Sequence, residues 1–438
     1  MSDHYIHVPQ GKRKRLLTEG KYCPENLLVS AGGLAVEEEK AVNFFDFDGT
    51  LLYAYTLEEA RALTQLPPGP DWHEELQFYG WNWELAAVQA LTVPVDIGAL
   101  YETKDQATIL EVELTAEDLT VQLYFSQTAE NGTTWDFGDG SDRETPASAQ
   151  AQSIVHQYAQ PGRYRIRVYS NAGTYTLGHS TTGYNVFGNH AQQAVHTPIL
   201  KKLHMGENSR MRQWAFARCN YLEQVTLNPA VTYNNVTTYA LAYCTALVCI
   251  HFPNGWAPTE TFAAAFNTSL RTVTFGDQLL YIMSNSLRGN FCLRRLRTTP
   301  NVDLSEGYQF YENKAMQDVP VFRATRSNLN AFSNCSSLRK VTLAETSTGI
   351  AANLFSGCQS LVEITLPASV TEIGAQAFSN CLLLKRIHFL PEAPPTVANT
   401  NAFGGIPASC VVEVPANSLE AYQAAANYGS LAGQMVGV

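Results

Sequence analysis

A pattern that returns nine times is the strongest constraint on how this chain folds. Aromatic residues and leucines in segments such as AFARC, AFSNC and LFSGC align as anchors at Phe216, Leu241, Phe266, Leu287, Phe310, Phe332, Phe355, Phe378 and Phe403, spaced 21 to 25 residues apart. Three residues beyond the anchors stand Cys219, Cys244, Ser269, Asn290, Asn313, Cys335, Cys358, Cys381 and Ile406. A leucine column follows (Leu222, Leu247, Leu270, Leu293, Leu338, Leu361 and Leu384, with Met316 in the fifth repeat), broken at Ser409. Two apolar columns then lie two residues apart. One is Val225, Ile250, Val273, Leu296, Val319, Val341, Ile364, Ile387 and Val412; the other is Leu227, Phe252, Phe275, Thr298, Val321, Leu343, Leu366, Phe389 and Val414. Residues two apart face the same way on a strand. A period of 20–29 residues with a Leu-rich strand predicts a solenoid of leucine-rich repeats, because one repeat cannot bury its apolar edge without neighbours. Nine strands at ~4.8 Å spacing make a ladder roughly 40 Å long.

The strand residues between the buried pair are expected to face outward: Thr226, His251, Thr274, Arg297, Pro320, Thr342, Thr365 and His388. The column two before them reads Gln224, Cys249, Thr272, Arg295, Asp318, Lys340, Glu363 and Arg386. Such a face suits a large ligand touched at many points rather than a small substrate in a closed pocket. The candidate ligand-surface residues are Arg288, Arg294, Arg295, Arg297, Lys340, Arg386 and His388. The four clustered arginines suit an anionic cell-wall polymer such as teichoic acid, since Arg forks match phosphate, or else form a solvated rim. His251 and His388 stand far apart on the ladder, so neither a metal site nor a catalytic pair is expected. Five cysteines share one column without a nearby Cys or His partner at zinc spacing, so they read as small buried hydrophobes.

The rest of the chain changes character in steps. The fold class expected is multidomain: a small α+β N-terminal region, an immunoglobulin-like β-sandwich, then the leucine-rich-repeat solenoid. Residues 1–40 form a polar arm with a basic run, Lys12, Arg13, Lys14 and Arg15. Residues 41–96 are crowded with aromatics, among them Trp72, and hold two short helical stretches, TLEEARALTQL and WELAAVQAL; Thr56 and Glu59 form a capping box at the first. Residues 97–178 read as all-β, 179–204 as a linker, 205–415 as the solenoid, and 416–438 as a cap helix and tail. With 438 residues and a net charge of −11, the chain is a poor candidate for sequence-independent nucleic-acid binding, which needs cations to displace counterions. No apolar run is long enough for a transmembrane helix. The first residues lack the apolar core of a secretory signal.

Two motifs bear on chemistry. Trp135-Asp136-Phe137-Gly138-Asp139-Gly140-Ser141, followed by Tyr158, Pro161, Gly162 and Tyr164, resembles the PKD domain, an immunoglobulin-like sandwich. The resemblance implies a spacer or binding module. Trp135 is expected between the sheets, and Asp136 and Asp139 read as turn-stabilising rather than calcium ligands, for want of a wider ring of oxygens. Phe44-Phe45-Asp46-Phe47-Asp48-Gly49-Thr50 matches the first motif of haloacid-dehalogenase-like phosphatases, where the first Asp would be nucleophile and the second acid/base. That chemistry needs alternating strands and helices and a later Ser/Thr, Lys and acidic pair, for which no series is found. VNFFDF and TLLYAY joined by Asp48-Gly49 read more simply as a β-hairpin.

The wording of the later repeats, SLVEITLPASVTEIGAQAFSNCLLLKRIHF, and the close AFGGIPASCVVEVPANSLEAYQAAANY resemble the BspA-like family of bacterial leucine-rich repeats. GKRKRLLTEGKYCPENLLV with VNFFDFDGTLLYAYTLEEA and GWNW resembles leader regions of tail-associated proteins in phages and prophages of gut Gram-positive bacteria. That second resemblance implies a non-enzymatic virion protein of a phage tail or baseplate. Its N-terminal region would dock to tail or baseplate proteins and its repeats to a host cell-surface protein or glycan, as a homo-oligomer. The alternative is a secreted bacterial surface adhesin. No catalytic, cofactor-binding or metal-binding residue, no cofactor, no nucleic-acid partner and no membrane insertion are expected.

Overall fold

The structure, a computed structural model, describes residues 40–438 other than 72, 182, 189–198, 231–236, 255–260, 280, 300, 301, 305, 320 and 430. The basic run at residues 12–15, Trp72 and Pro320 lie outside the described residues, as does nearly all of the expected arm.

The chain opens on a four-stranded sheet built from β1 (Val42–Phe45), β2 (Leu51–Tyr55), β3 (Leu76–Trp81) and β4 (Val95–Thr103), in the order β2-β1-β4-β3. β1 pairs antiparallel with β2 and parallel with β4. Being central and apolar, β1 is buried along its whole length. The turn between β1 and β2 places Gly49 at a φ of +86°, where a side chain would be strained. Asp48 Oδ1 closes the turn by accepting from Thr50 N at 2.9 Å. Two short helices, α1 (Leu57–Arg61) and α2 (Leu85–Gln89), lie between the strands. The capping box holds α1: the Thr56 hydroxyl accepts from Glu59 N, and the Glu59 carboxylate accepts from Thr56 N. One boundary read from sequence moves. Residues 97–103 belong to this sheet and not to the sandwich, because β4 runs from Val95 to Thr103 as the parallel partner of β1.

The sandwich comprises β5 (Thr108–Leu114), β6 (Thr120–Gln127), β7 (Thr133–Asp136), β8 (Gln152–Gln157), β9 (Gly162–Ser170) and β10 (Tyr175–Leu177). Trp135 is fully buried between the sheets, its indole Nε1 donating to Thr133 Oγ1 at 3.0 Å and its ring against Phe125. Both sheets then continue into the repeats. β11 (Ile199–His204) pairs antiparallel with β5 and parallel with the first repeat strand, β13 (Gln224–Thr226); β12 (Ser209–Met211) pairs parallel with β10. The segment read as a linker therefore ends in a strand that welds sandwich to solenoid, and the two share one apolar core. The sandwich also grips the small domain: Arg165 pairs with Glu74 and Glu75, and Arg167 with Glu75, while the sandwich's own Glu111 and the connecting Asp105 hold the two guanidinium groups in place.

The solenoid has about nine rungs. Its strand ladder runs through β13, β14 (Cys249–Phe252) and β15 (Thr272–Phe275), then through single bridges Arg295–Asp318 and Lys340–Glu363. It becomes regular again in β17 (Glu363–Leu366), β19 (Arg386–Phe389) and β21 (Val411–Val414). A second parallel ladder of β16 (Gly349–Ile350), β18 (Glu372–Ile373) and β20 (Thr396–Val397) lines another flank. The anchor rings of Phe310, Phe332, Phe355, Phe378 and Phe403 stack at 5.4, 6.1, 5.7 and 5.7 Å between successive centroids. α3 (Leu419–Ala424) and β22 (Met435–Gly437) close the end. There Tyr422 and Tyr428 pack on Phe389 and donate to the Pro391 and Pro395 carbonyls.

The register differs from the sequence alignment in two rungs. In the third, the anchor is Ala264 and not Phe266. Phe266 shares a left-handed backbone with Arg218 and Tyr243, each two residues past its anchor, and the next column is filled by Asn267 rather than Ser269. Hydrogen bonding decides this: Cys244 N donates to Asn267 Oδ1, Asn267 N to Asn290 Oδ1, and Asn290 N to Asn313 Oδ1. In the fifth rung Phe322, fully buried and bridged to Leu343, takes the place expected of Val321.

Cysteine and asparagine do one job in that column. The thiols of Cys244, Cys335, Cys358 and Cys381 donate to the anchor carbonyls of Phe216, Phe310, Phe332 and Phe355, and Asn290 Nδ2 donates likewise to Ala264. Each is a small buried donor that finds its partner in the preceding rung's anchor carbonyl, which already accepts one bond from within its own rung. Burial holds their thiols protonated, Cys244 and Cys381 being pushed up to about 12.

Candidate functional site

The strand face expected to touch a ligand is divided in two, because the small domain lies on its first four rungs. β4 crosses β13, β14 and β15 so closely that a Cβ on Gly98 would stand 2.3 Å from the His251 ring and 2.4 Å from Thr274 Oγ1. Thr226, His251, Thr274 and Arg297, expected on the exposed face, are instead all buried. The contact is polar and hydrogen-bonded. Asn82 Oδ1 accepts from Gly98 N, while its Nδ2 donates to Phe252 O and Thr274 Oγ1. Trp83 Nε1 donates to Phe275 O, and Asp277 Oδ2 accepts from Glu84 N. Asn82 and Trp83 lie in the GWNW segment, but nothing in its wording points to this contact, which is recognisable only once β4 is seen to lie on the ladder.

The arginine cluster is drawn into the same contact. Arg295 Nε lies 2.9 Å from Asp96 Oδ2, with its guanidinium over the Phe45 ring. Asp96 is 4% exposed; burial pushes its carboxyl above the ordinary range, against the pull of Arg295, Arg297 and the Asn43 amide. Arg297 pairs with Asp318 at 3.0 Å, and its carbonyl accepts from Asp96 N. Arg288 stands on the turn flank between the rings of Phe266 and Tyr311 and pairs with Glu312. Arg294 is half-buried, its carbonyl accepting from Gln317 N. The four arginines thus do not converge on one anion, and two of them hold the small domain or its neighbouring rung in place.

Beyond the fifth rung the face is open. Lys340, Thr342, Glu363, Thr365, Arg386 and Val411 are exposed, with His388 and Glu413 half-buried among them. Charge alternates from rung to rung, Lys340, Glu363 and Arg386 standing on successive strands. Arg386 Nε and His388 Nδ1 both reach Glu413, at 3.1 and 3.2 Å, and Lys340 bridges to Glu363 by backbone pairing. Among the candidate residues, Lys340, Arg386 and His388 are therefore brought together on one surface, whereas Arg288, Arg294, Arg295 and Arg297 are not.

The phosphatase-like aspartates occupy a different setting from a reaction site. Asp48 caps its turn. Asp46 is 1% exposed: its carboxylate accepts from Phe47 N at 2.8 Å and from the Tyr101 hydroxyl at 2.6 Å, and lies 3.4 Å from His73 Nε2. Burial raises the Asp46 carboxyl and lowers the His73 imidazolium, so both lean to their neutral forms. The void beside them, lined by Phe47, Ala99, Leu100, Tyr101, Val225, Thr226, Leu227 and His251, is about 10 Å³, room for about one water and not for a phosphate ester. In the sandwich, Asp136 Oδ1 accepts from Gly138 N and its Oδ2 pairs with Arg143. Asp139 accepts from Ser141 N, from Ser141 Oγ and from His156 Nε2. Burial pushes the Asp139 carboxyl up, but the hydrogen bonds from Ser141 and His156 outweigh it and bring it down to about 2. Among the described residues no group of three or more His, Cys, Asp or Glu side chains is placed to hold a metal ion, and no helix is long and apolar enough to cross a membrane.

Comparison with known proteins agrees with this geometry. Residues 105–183 match the PKD domain, which places the sandwich after β4 as the sheets do. The BspA type leucine rich repeat region matches in six copies over residues 195–317 and 325–428. No curated protein matches the chain. Among solved structures, a leucine-rich repeat protein from Bacteroides ovatus is 17% identical, with 56% of this chain and 92% of that chain covered and a TM-score of 0.23. A leucine rich cell surface protein from Faecalibacterium prausnitzii is 16% identical, with 57% and 93% covered and a TM-score of 0.26. With more than half its length matched by the repeat model, the chain belongs to the BspA type leucine rich repeat family.

Proposed function

We propose that this is a non-enzymatic repeat protein of the bacterial cell surface, which meets a large partner, a protein or glycan, through the open strand face of rungs six to nine. The observation that carries the reading is the division of that face: the first four rungs are closed by the small domain, and Lys340, Thr342, Glu363, Thr365, Arg386 and His388 stay accessible beyond it. A flat, polar, internally charge-paired surface suits many weak contacts with an extended partner. It lacks the concave apolar lining that small-molecule sites use. The same alternation of charge disfavours a polyanion such as teichoic acid, because Glu363 and Glu413 sit among the cations. Both modules matched, BspA type repeats and a PKD domain, are of kinds found in surface proteins. That favours the cell surface over the phage tail or baseplate suggested by the leader segment, which neither match supports.

Location is tested by shaving intact producing cells with trypsin. The reading expects peptides from residues 318–413 to be released before lysis. Protection of the chain until lysis contradicts it, and sedimentation of the chain with purified virions would restore the tail reading.

A further inference from the structure

The seam between the small domain and the first rungs contains a hydrogen-bonded chain that has room for one proton fewer than acid solution supplies. Asp46 O can only accept, so His251 Nε2, 2.7 Å away, carries a hydrogen. With the buried ring neutral and its hydrogen on Nε2, Nδ1 is left an acceptor, so Thr274 Oγ1, which accepts from Asn82 Nδ2 at 2.9 Å, turns its own hydrogen to His251 Nδ1, at 2.8 Å. His251 is thus the neutral tautomer protonated at Nε2. A second proton at Nδ1 would face the Thr274 hydroxyl hydrogen and turn it away from its acceptor. The ring cannot swing aside, because the backbone of Gly98 lies directly on it.

We propose that this seam is an acid-opened latch: protonation of His251 at Nδ1 breaks the Asn82–Thr274–His251–Asp46 chain, releases the small domain from the first rungs, and bares the strand face of β13, β14 and β15. The inference goes beyond the surface reading and does not depend on it. The groups facing His251 are few. On its own strand stands Cys249, whose thiol burial holds protonated. From the hairpin come the Asp46 carbonyl and, farther off, the Asp48 carboxylate; beyond them lie Asp46's carboxyl, Tyr101 and His73. Neighbouring strands contribute Thr226 and, two strands away, His204, which bonds Thr226 at 2.9 Å and is likewise buried. Burial, partly offset by the Asp46 carbonyl and Asp48, brings His251 down to about 4 from its ordinary 6.5.

The sign follows. A histidine depressed in the docked state and ordinary once released favours docking fully above pH 6.5. That contribution falls by up to about tenfold per pH unit as pH drops toward about 4. The buried carboxyls of Asp46 and Asp96, raised by burial, work in the opposite direction on acidification, so the histidine must be isolated by substitution.

Amide exchange in the whole chain, corrected for the intrinsic effect of pH, provides the test between pH 7.5 and 4.5. Peptides covering β4 and β14 should lose at least tenfold protection relative to β17, β19 and β21, and His251→Gln should remove that pH dependence. A flat wild type, or an equal loss in His251→Gln, overturns the proposal. Should His251→Gln lack protection even in β17 to β21, Thr274→Val is read instead. Without the competing hydroxyl hydrogen the docked histidine takes its second proton more readily, the gap between docked and released states narrows, and the acid loss of protection must shrink; an undiminished loss overturns the latch as well.

Discussion

Phe355→Ala is expected to cost about 4 kcal/mol and to divide the unfolding of the chain into two transitions. The ring is fully buried between Phe332 at 6.1 Å and Phe378 at 5.7 Å, so truncation leaves a cavity that rigid neighbouring rungs cannot close. In a solenoid each rung is held mainly by the rungs on either side, and weakening one interface uncouples the segments it joins. All six tryptophans lie at or before residue 256, so fluorescence follows the small domain, sandwich and first rungs, while circular dichroism follows the whole chain. In urea the two signals should share one midpoint in the wild type and separate in the variant, with the end of the ladder melting first. Coincident, unshifted midpoints would mean that the Phe stack does not couple the rungs.

Arg295→Ala is the second large effect, about 3 kcal/mol, and it acts on the seam instead of the core. It strips the guanidinium from Asp96, which is nearly sealed from solvent and has the Asn43 amide as its other hydrogen-bond partner. A buried carboxylate without its cation is more costly than no carboxylate at all, so Asp96→Asn added to Arg295→Ala should regain much of the loss. Thermal unfolding of both single variants and the double variant measures this as a coupling energy. Additive losses would show that the pair does not hold the domains together.

These two sites mark how far the sequence carries the fold. The Phe355 stack was legible because burial repeats with the rung: anchors, leucines and the paired strand columns recur wherever a neighbour must be covered. The Asp48-Gly49 turn and the Thr56–Glu59 cap are written in local residues, and so was the WDFGDGS turn. The Arg295 seam was not legible. A polar strand face reads the same whether water or another domain's backbone lies on it, and Thr226, His251 and Thr274 gave no sign that β4 covers them. Nor does the VDIGALYET strand announce its partner, since its parallel pairing with VNFF is a long-range choice. The slip at Phe266 has a related cause. Aligning by aromatic type picked the residue with the right chemistry, whereas the fold aligns by the carbonyls that Asn267 and Asn290 satisfy. Of the candidate surface, Lys340, Arg386 and His388 could be placed by counting, but the tasks of Arg288, Arg295 and Arg297 depend on partners distant in sequence.

The unequal exposure of one column, Thr274 covered and Thr365 open, is the point on which the account rests most directly. Thr274→Cys and Thr365→Cys place a thiol at the same position of two rungs, and maleimide labelling resolved by peptide reads them side by side at neutral pH. The thiol at 365 should label at the rate of a free thiol while the one at 274 stays unlabelled in the folded chain. Equal, rapid labelling at both positions would contradict this, because the small domain would then not be seated on the ladder.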